Sequence, residues 1–409
     1  MALIDVFLRR AIQRGRLTLT KPDGSTSVFG RDDPELKPVA FRITDRAVYR
    51  AIAADPSLGV AEAFMAGTLI VEDGDILDLL MLATANSRWE NGSNKLAASR
   101  WRRLGGKLRH QFLTANKALA SKRNVAHHYD LSDRLYDLFL DADKQYSCAY
   151  YTDAGNSLEQ AQADKKAHIV AKLAIRPGMR VLDIGCGWGG MALYIHARTG
   201  AEVLGITLSE EQLKVARRRA EEAGVADKVR FELIDYRALD DTFDRIVSVG
   251  MFEHVGARNF RTYLAKCRDL LTPDGVMLLH TIGRADGPNF TDKFTDKYIF
   301  PGGYIPALSE VLTANEFIRW FVSDVEVLRM HYALTLRAWY ERTVAAREQI
   351  VALYDERFFR LWTYYLAGAI VSFTNGTLVN YQIQFSRDRL TLPLTRDYMI
   401  EEERRLREG

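Results

Sequence analysis

The stretch VLDIGCGWGG, residues 181–190, joins a buried strand to a glycine-rich turn. Residues 181–184 are largely apolar, as expected of a strand covered on both faces of a parallel sheet. Gly185 and Gly187 follow where that strand ends, and a residue without Cβ lets the backbone turn tightly and approach a ligand closely. A strand, a glycine turn and a helix in this order are typical of the first unit of a doubly wound sheet.

Strands and helices alternate along the chain from about residue 160 onward. Helical patterns occur in LEQAQADKKAHIVAKLA (158–174), MALYIHARTG (191–200) and SEEQLKVARRRAEEAG (209–224). Strand patterns occur in EVLGITL (202–208), KVRFELID (228–235), DRIVSVG (244–250) and GVMLLHTIG (275–283). This alternation predicts an α/β fold, a Rossmann-like doubly wound sheet whose ligands bind beyond the carboxyl ends of the strands.

The residues before this region predict a smaller α+β domain. LTLTKPDGSTSVFG (17–30) is typical of a hairpin, VAFRIT (39–44) of a strand and Asp75–Ala85 of a helix. The amphipathic N-terminus MALIDVFLRRAIQRGRL is interpreted as a short helix packed on its domain or as a helix that touches a membrane. We predict an N-terminal lipid-binding and dimerisation domain at 1–110, a basic linker helix at 111–125 and a catalytic domain at 126–409.

The composition is that of an ordinary globular protein, with 409 residues, 47% of them hydrophobic and 27% charged. Three cysteines, Cys148, Cys186 and Cys267, have neither metal-ligand spacing nor the pattern of a disulfide framework. No apolar run is long enough to span a bilayer. These features predict a cytoplasmic protein without a metal site.

The net charge is only +3, but basic residues are concentrated in residues 91–129. No acidic residue occurs between Glu90 and Asp130. The nine basic residues of this segment are Lys95, Arg100, Arg102, Arg103, Lys107, Arg109, Lys117, Lys122 and Arg123. A basic amphipathic segment suits an anionic membrane surface, and a solvated interdomain helix is an equally good interpretation. No RNA- or DNA-binding motif supports a nucleic-acid partner.

The ends of the first three strands carry the candidate co-substrate residues. Gly185, Gly187 and Gly190 formally meet a dinucleotide fingerprint. Asp183, two residues before the first glycine, instead resembles the first motif of the class I methyltransferases, which bind S-adenosylmethionine. The second strand ends in Thr207 rather than in an acid for ribose hydroxyls, so we expect Gln212 to take that role. Asp235 and Tyr236 end the third strand, where an adenine would lie.

Two further polar side chains follow the fourth strand and end the fifth. Glu253 is interpreted as a functional carboxylate or as a helix cap, and His280 as a functional imidazole or as a core histidine bonded to backbone. Their positions at neighbouring strand ends favour function.

A more specific resemblance rests on six motifs: QYSCAYY (145–151), VLDIGCGWGG, VSVGMFEHVG (247–256), LLHTIG (278–283), KYIFPGGYIP (297–306) and AWYER (338–342). Together they resemble the cyclopropane-fatty-acyl-phospholipid synthases over residues 55–390, and the mycolic acid cyclopropane synthases share many of them. The resemblance implies transfer of a methylene group from S-adenosylmethionine to a cis double bond of a phospholipid acyl chain. It also implies a carbocation that active-site bicarbonate deprotonates, a homodimer, and a peripheral position at the inner membrane surface.

The resemblance also assigns site residues motif by motif. It places the catalytic, bicarbonate-binding set at Cys148, Glu253, His280, Ile282 and Tyr332. It places co-substrate contacts at Tyr146, Ser147, Gly185, Cys186, Gly187, Thr207, Gln212, Asp235 and Tyr236, besides Asp183. One departure is His331, which precedes Tyr332 where some relatives carry an aspartate.

Three other functions remain open on the sequence. A related lipid C-methyltransferase would make methyl-branched or methylene acyl chains with the same co-substrate and the same cation. A lipid-binding protein that keeps the fold without catalysis is a second alternative, and a methyltransferase of small soluble molecules is a third.

Overall fold

The computed structural model describes residues 3–92 and 132–408. The chain divides into two units, neither of which is continuous in sequence. The first comprises Met1–Arg109, Thr291–Pro301 and Leu336–Thr377; the second comprises His110–Phe290, Gly302–Thr335 and Leu378–Gly409. Two segments of the first unit, Thr291–Pro301 and Leu336–Thr377, fall within the predicted catalytic domain at 126–409. The predicted linker helix, most of the basic segment and both predicted domain boundaries lie outside the described residues.

The described residues form the following elements. The helices are α1 (Leu3–Ala11), α2 (Ala47–Ala54), α3 (Pro56–Met65), α4 (Ile76–Ala85), α5 (Asp133–Phe139), α6 (Leu158–Leu173), α7 (Gly190–Thr199), α8 (Glu210–Glu222), α9 (Phe260–Asp269), α10 (Lys293–Tyr298), α11 (Leu308–Asn315), α12 (His331–Ala345), α13 (Arg347–Leu353), α14 (Glu356–Thr374) and α15 (Asp397–Glu408). The strands are β1 (Leu17–Thr20), β2 (Thr26–Phe29), β3 (Val39–Ile43), β4 (Leu69–Asp73), β5 (Arg180–Ile184), β6 (Glu202–Thr207), β7 (Val229–Leu233), β8 (Phe243–Val249), β9 (Leu271–Arg284), β10 (Phe321–Leu328) and β11 (Leu378–Ser386).

The first unit contains a four-stranded sheet in the order β2-β1-β3-β4. The predicted hairpin is confirmed, since β1 and β2 pair antiparallel around a turn that contains Gly24 at φ +79°. The predicted strand at 39–44 is β3, which pairs parallel with β1. The predicted helix at 75–85 is α4, where Asp75 and Asp78 form a reciprocal capping box. The predicted α+β character of this region is therefore confirmed.

The second unit contains a seven-stranded sheet in the order β10-β11-β9-β8-β5-β6-β7. The five strands from β7 to β9 run parallel, whereas β11 runs antiparallel to both β9 and β10. The order turns at β5, because the chain passes outward to β6 and β7 and then returns to β8 on the other side. Such a switch point creates a crevice at the carboxyl ends of the strands, and the predicted doubly wound sheet is confirmed.

Apolar residues cover both faces of this sheet. One buried cluster includes Leu264 of α9 and Val311 of α11, and the other includes Ile169 of α6 and Ala216 of α8. Helix termini match their sequence signals: Ser209 Oγ accepts a hydrogen bond from the backbone N–H of Gln212, and Gly200 ends α7 at φ +71°. None of the helices described is long and apolar enough to cross a membrane.

Candidate active site

A pocket opens at the carboxyl ends of β5, β6, β7 and β8. Its wall consists of the turns that follow these strands, together with residues 144–147. All ten residues predicted to bind the co-substrate lie on this wall: Tyr146, Ser147, Asp183, Gly185, Cys186, Gly187, Thr207, Gln212, Asp235 and Tyr236. The topological switch point therefore brings these widely separated residues to one place.

The glycine turn after β5 is held open by its backbone conformation. Gly185 has φ +83°, and a Cβ at this position would lie 2.9 Å from Met251 Cβ. The backbone N–H groups of Gly185 and Cys186 both donate to the carbonyl of Ile206 on β6. Gly187 has φ +55°, and an added Cβ there would meet nothing within 4 Å. Only glycine therefore suits position 185, and at Gly187 the bare backbone borders open space.

Asp183 ends β5 and is 2% exposed. One of its carboxylate oxygens, Oδ2, is buried and accepts no hydrogen bond from the described residues. Burial raises the pKa of this carboxyl to about 7, although the charge of Lys165 acts in the opposite direction. A buried acid with an unused oxygen suits a ligand that brings a positive charge.

The other end of the pocket lies at β6 and β7. The Thr207 hydroxyl donates to Gln212 Oε1 at 3.3 Å, so Gln212 lies beside the end of β6. Asp235 accepts hydrogen bonds from the Arg237 guanidinium at 2.8 and 2.5 Å. The ring of Tyr236 packs edge-on against Tyr263. These contacts leave a polar end with an aromatic wall at β6 and β7.

The segment before Cys148 is tied to α6. Gln162 Nε2 donates to the backbone carbonyls of Gln145 and Ser147 at 3.1 and 3.0 Å. Lys165 Nζ donates to Gln145 Oε1 at 2.7 Å and to Ser147 Oγ at 2.9 Å. Lys165 is completely buried, and burial lowers its pKa to about 8. The wall residues at 145–147 therefore rest on an ammonium group that the sequence analysis did not identify.

Glu253 lies in a single 3-10 turn, Phe252–His254, directly after β8. Its Oε1 accepts the backbone N–H of Ile282 at 2.6 Å, so the carboxyl group meets strand β9 rather than capping a helix. Its Oε2 is buried and has no hydrogen-bond partner among the described residues. Burial raises the pKa of Glu253 to about 7. Near neutral pH a large fraction of this carboxyl group is therefore protonated and can donate from Oε2.

His280 on β9 is fully buried between two side-chain amides of β11. Lys172 Nζ donates to Gln382 Oε1 at 2.7 Å, which directs Gln382 Nε2 toward His280 Nδ1 at 3.2 Å. Nδ1 is therefore an acceptor, and the ring proton lies on Nε2. Nε2 is 3.2 Å from Asn380 Nδ2, and the buried Asn380 Oδ1 has no partner within the described chain. Turning this amide lets its oxygen accept the ring proton.

The charge of His280 follows from the same surroundings. Burial and the nearby Lys165 and Lys172 lower its pKa to about 3, so the ring is neutral at physiological pH. The alternative of a histidine bonded to backbone does not apply, since both ring nitrogens face side chains.

The tautomer of His280 is our first testable prediction. We expect two-bond ¹H–¹⁵N correlation spectra of protein labelled at histidine to show a neutral ring with its proton on Nε2 up to pH 8. Lys172→Met removes the cation that orients Gln382, so it should allow the opposite tautomer. A proton on Nδ1 in the unmutated protein would contradict this assignment.

Cys148 and Tyr332 belong to a second set of contacts. Cys148 is 1% exposed, and its thiol donates to the Ala149 carbonyl at 3.3 Å. The backbone N–H of Ala149 donates to Thr335 Oγ1, and that of Tyr151 donates to His331 Nδ1. Tyr332 lies between these two anchors on α12 and is buried. His331, the departure noted in the sequence, thus fixes the segment after Cys148.

The Cys148 thiol does not have the properties of a nucleophile. Burial raises its pKa well above the usual range, which keeps sulfur in its thiol form. We therefore expect Cys148→Ser to keep turnover within about tenfold of the unmutated enzyme, because a hydroxyl can make the same bond to Ala149. Steady-state kinetics test this. Complete loss of turnover with intact folding and S-adenosylhomocysteine binding would mean that the thiol itself is required.

The five predicted catalytic residues thus fall into two sets. The first lies along β9: Glu253 accepts the backbone N–H of Ile282, and His280, two residues earlier on the strand, faces Asn380 and Gln382. Cys148 and Tyr332 form the second. The Lys165 charge influences the pKa of both Cys148 and His280, so both sets lie near one buried ammonium group.

Sequence reasoning missed Lys165, Lys172 and Gln382. A signal was present in α6, where Gln162, Lys165 and Lys172 recur at helical spacing on the side that Ile169 buries. A polar residue on an otherwise apolar helical face needs an internal partner. For Gln382, the signal was an amide in the middle of a strand with buried neighbours.

Comparisons with known proteins show the family of this chain. The family model described as mycolic acid cyclopropane synthetase matches residues 116–383. The chain is 39% identical over 350 residues to the cyclopropane-fatty-acyl-phospholipid synthase of Escherichia coli (strain K12), covering 86% of this chain and 88% of that protein. It is 33% identical over 401 residues to tuberculostearic acid methyltransferase UfaA1 of Mycobacterium tuberculosis, covering 95% and 91%.

A solved structure confirms the fold class. The crystal structure of mycolic acid cyclopropane synthase CmaA1 complexed with SAH and CTAB has a TM-score of 0.62 and 33% identity, covering 65% of this chain and 98% of that one. The family model spans more than half of the chain, and a relative above 30% identity spans most of it. The chain therefore belongs to the mycolic acid cyclopropane synthetase family of S-adenosylmethionine-dependent methyltransferases.

Proposed function

We propose that this enzyme transfers a methylene group from S-adenosylmethionine to the cis double bond of unsaturated phospholipid acyl chains, forming cyclopropane fatty acids. The carrying observation is the presence of two buried acids at the neighbouring strands β5 and β8, Asp183 in the pocket and Glu253 against β9. Each has one oxygen without a hydrogen-bond partner among the described residues. The identity to the Escherichia coli synthase over 86% of the chain supports the lipid class.

The residues of the pocket suit the two functional ends of the co-substrate. S-adenosylmethionine supplies an electrophilic methyl group on a positively charged sulfur. A cationic ligand favours the ionised form of the buried Asp183. The turn at Gly185 and Gly187 admits such a ligand without a side chain in the way. Thr207 and Gln212 lie at the next strand end, where they can accept and donate hydrogen bonds to ribose hydroxyls.

The second acid suits the fate of the carbocation. An alkene that accepts a methyl group becomes a cation, which water would quench, so its surroundings must be dry. Glu253 and His280 are 8% and 1% exposed. Ring closure needs a base that removes a proton from the new methyl group, and a bicarbonate ion would supply it. Protonated Glu253, donating from Oε2, is the group that would hold this anion.

A related lipid C-methyltransferase is the second candidate. The identity to tuberculostearic acid methyltransferase over 95% of the chain favours it. It would share the pocket, the cation and the lipid, and would differ in which proton leaves.

Product analysis tests the proposal. Purified enzyme is incubated with S-adenosylmethionine and vesicles of a monounsaturated phospholipid, and the acyl chains are examined by mass spectrometry and proton NMR. We expect a gain of one CH2, loss of the vinylic signals and new upfield ring protons. Retained vinylic signals or a new methyl signal would assign the second candidate, and an unchanged acyl chain would exclude both.

The phospholipid substrate extends this proposal to the location of the enzyme. Acyl chains reside in the bilayer, so we propose peripheral contact with the inner membrane surface and a homodimer that doubles the number of weak surface contacts. Sedimentation with anionic vesicles and light scattering of the free protein test these two points. An enzyme that stays in the supernatant or is monomeric would contradict them.

A further inference from the structure

The Lys165 ammonium group lies beneath the pocket wall without a charged partner. Its two hydrogen bonds go to uncharged oxygens, Gln145 Oε1 and Ser147 Oγ. No carboxylate of the described chain comes within 4 Å of it, although Asp141 and Asp183 act on it from farther away. Removing an ammonium group from water is costly unless its charge is used. This charge therefore remains available to a ligand on the other side of the wall.

The nearby acids are engaged elsewhere. Asp141 accepts backbone N–H groups from Gln145 and Asp143, and the Asp143 carboxylate is bound by Lys166 and Arg219. Of Asp141, Asp143 and Asp183, only Asp183 has a buried oxygen that finds no hydrogen-bond partner among the described residues. The β5 end of the pocket therefore has a cation, Lys165, beneath its wall and an acid, Asp183, in its wall. This pair of charges suits a ligand that carries both an anionic and a cationic group.

Ser147 carries the effect of this charge into the pocket. Its Oγ accepts a hydrogen bond from Lys165, so its own proton is free to be donated. No described residue accepts that proton, and Ser147 lines the pocket. A hydroxyl that accepts from an ammonium group is polarised and becomes a stronger donor toward an anion.

The order of the strands determines which part of the co-substrate lies there. Asp235 and Tyr236 at the β7 end suit the adenine, and Thr207 with Gln212 at β6 suits the ribose. Ribose connects adenine to the methionine part, and β5 lies on the far side of β6 from β7. The methionine part with its amino and carboxylate groups therefore falls at β5, beside Asp183 and Ser147.

We propose that Lys165 is a positioning residue that makes Ser147 the binding group for the α-carboxylate of S-adenosylmethionine, while Asp183 faces the α-amino group. This inference rests on S-adenosylmethionine as the occupant of the pocket and does not depend on which lipid product is formed. In this role Lys165 acts through Ser147 and does not itself contact the co-substrate.

Paired ligands test this proposal. Dissociation constants of S-adenosylhomocysteine and of 5′-methylthioadenosine, which lacks the amino and carboxylate groups, are measured by titration calorimetry. We expect Lys165→Met and Ser147→Ala each to weaken S-adenosylhomocysteine by roughly 10- to 100-fold and to leave 5′-methylthioadenosine nearly unchanged. Lys165→Arg should restore part of the loss. The double variant should be little weaker than either single variant, because both remove one interaction.

The controls separate this role from simple packing. Lys172→Met removes another buried ammonium group from α6 and should leave the ratio of the two affinities unchanged. An equal loss for both ligands in Lys165→Met and Ser147→Ala would assign Lys165 to packing alone and overturn the proposal. Unchanged S-adenosylhomocysteine binding with a raised apparent KM for bicarbonate would show that the subsite holds that ion instead. Unmutated protein that binds neither ligand would reject the co-substrate itself, whatever the lipid.

Discussion

Replacing Glu253 with alanine is expected to lower kcat by about 10²-fold or more while leaving the affinity for S-adenosylhomocysteine unchanged. Positioned proton-transfer groups typically contribute 10²- to 10⁴-fold to rate. The alanine variant lacks the carboxyl group that accepts from Ile282 and that would hold the base. The pocket wall does not include this side chain, so co-substrate binding serves as the control. A variant with normal kcat would remove Glu253 from the mechanism.

The Glu253→Gln variant makes the prediction for Glu253 sharper. Glutamine keeps an oxygen for the Ile282 N–H and presents an N–H₂ donor where protonated Glu253 presents O–H. The Glu253 pKa is raised to about 7, so the protonated donor is lost as pH increases through 7. The apparent KM for bicarbonate should therefore rise above pH 7 in the unmutated enzyme and stay flat in Glu253→Gln. A parallel rise in both would mean that another group titrates.

Gly185→Ala is expected to weaken S-adenosylhomocysteine binding by about 30- to 5,000-fold. A left-handed backbone costs a residue with a Cβ about 1–2 kcal/mol, and overpacking typically costs about 1–3 kcal/mol more. Both costs apply at Gly185, with φ +83° and a Cβ 2.9 Å from Met251 Cβ.

A matched glycine provides the control for the prediction at Gly185. Gly287 is exposed, has no positive φ, and an added Cβ there meets nothing within 4 Å. Gly287→Ala should bind S-adenosylhomocysteine as the unmutated protein does. Equal affinities for Gly185→Ala and Gly287→Ala would show that the turn after β5 does not shape the pocket.

Local patterns predicted the fold and the wall of the pocket well. Hydropathy located the carboxyl ends of β5, β6 and β7 within two residues, and parallel strands bring these ends to one edge. The amino-acid sequence therefore suffices to place Asp183, Thr207 and Asp235 together. The helical patterns at 191–200 and 209–224 were equally local and are confirmed as α7 and α8. The prediction that His280 ends its strand was wrong, because pairing with β11 continues β9 to Arg284.

Contacts between distant segments were not predictable in the same way. The orientation of Gln382 depends on Lys172, which lies 210 positions earlier in the chain. The contact between His331 and Tyr151 spans 180 positions. The two units interleave along the sequence, because the segments Thr291–Pro301 and Leu336–Thr377 belong with the N-terminal part. None of these relationships produces a periodic pattern of apolar residues in the sequence, so they are seen only in the folded chain.

We expect the cation on the acyl chain to lose its proton from the newly transferred methyl group, in the buried site around Glu253. Incubation with S-adenosylmethionine that carries a CD3 group tests this directly, with mass spectrometry and NMR of the recovered acyl chains. We predict that the chain gains CD2 and that its two former vinylic carbons become ring methines. A product that retains all three deuterium atoms, as a methyl branch beside a remaining double bond, would show that the proton leaves from the acyl chain and not from the transferred methyl group.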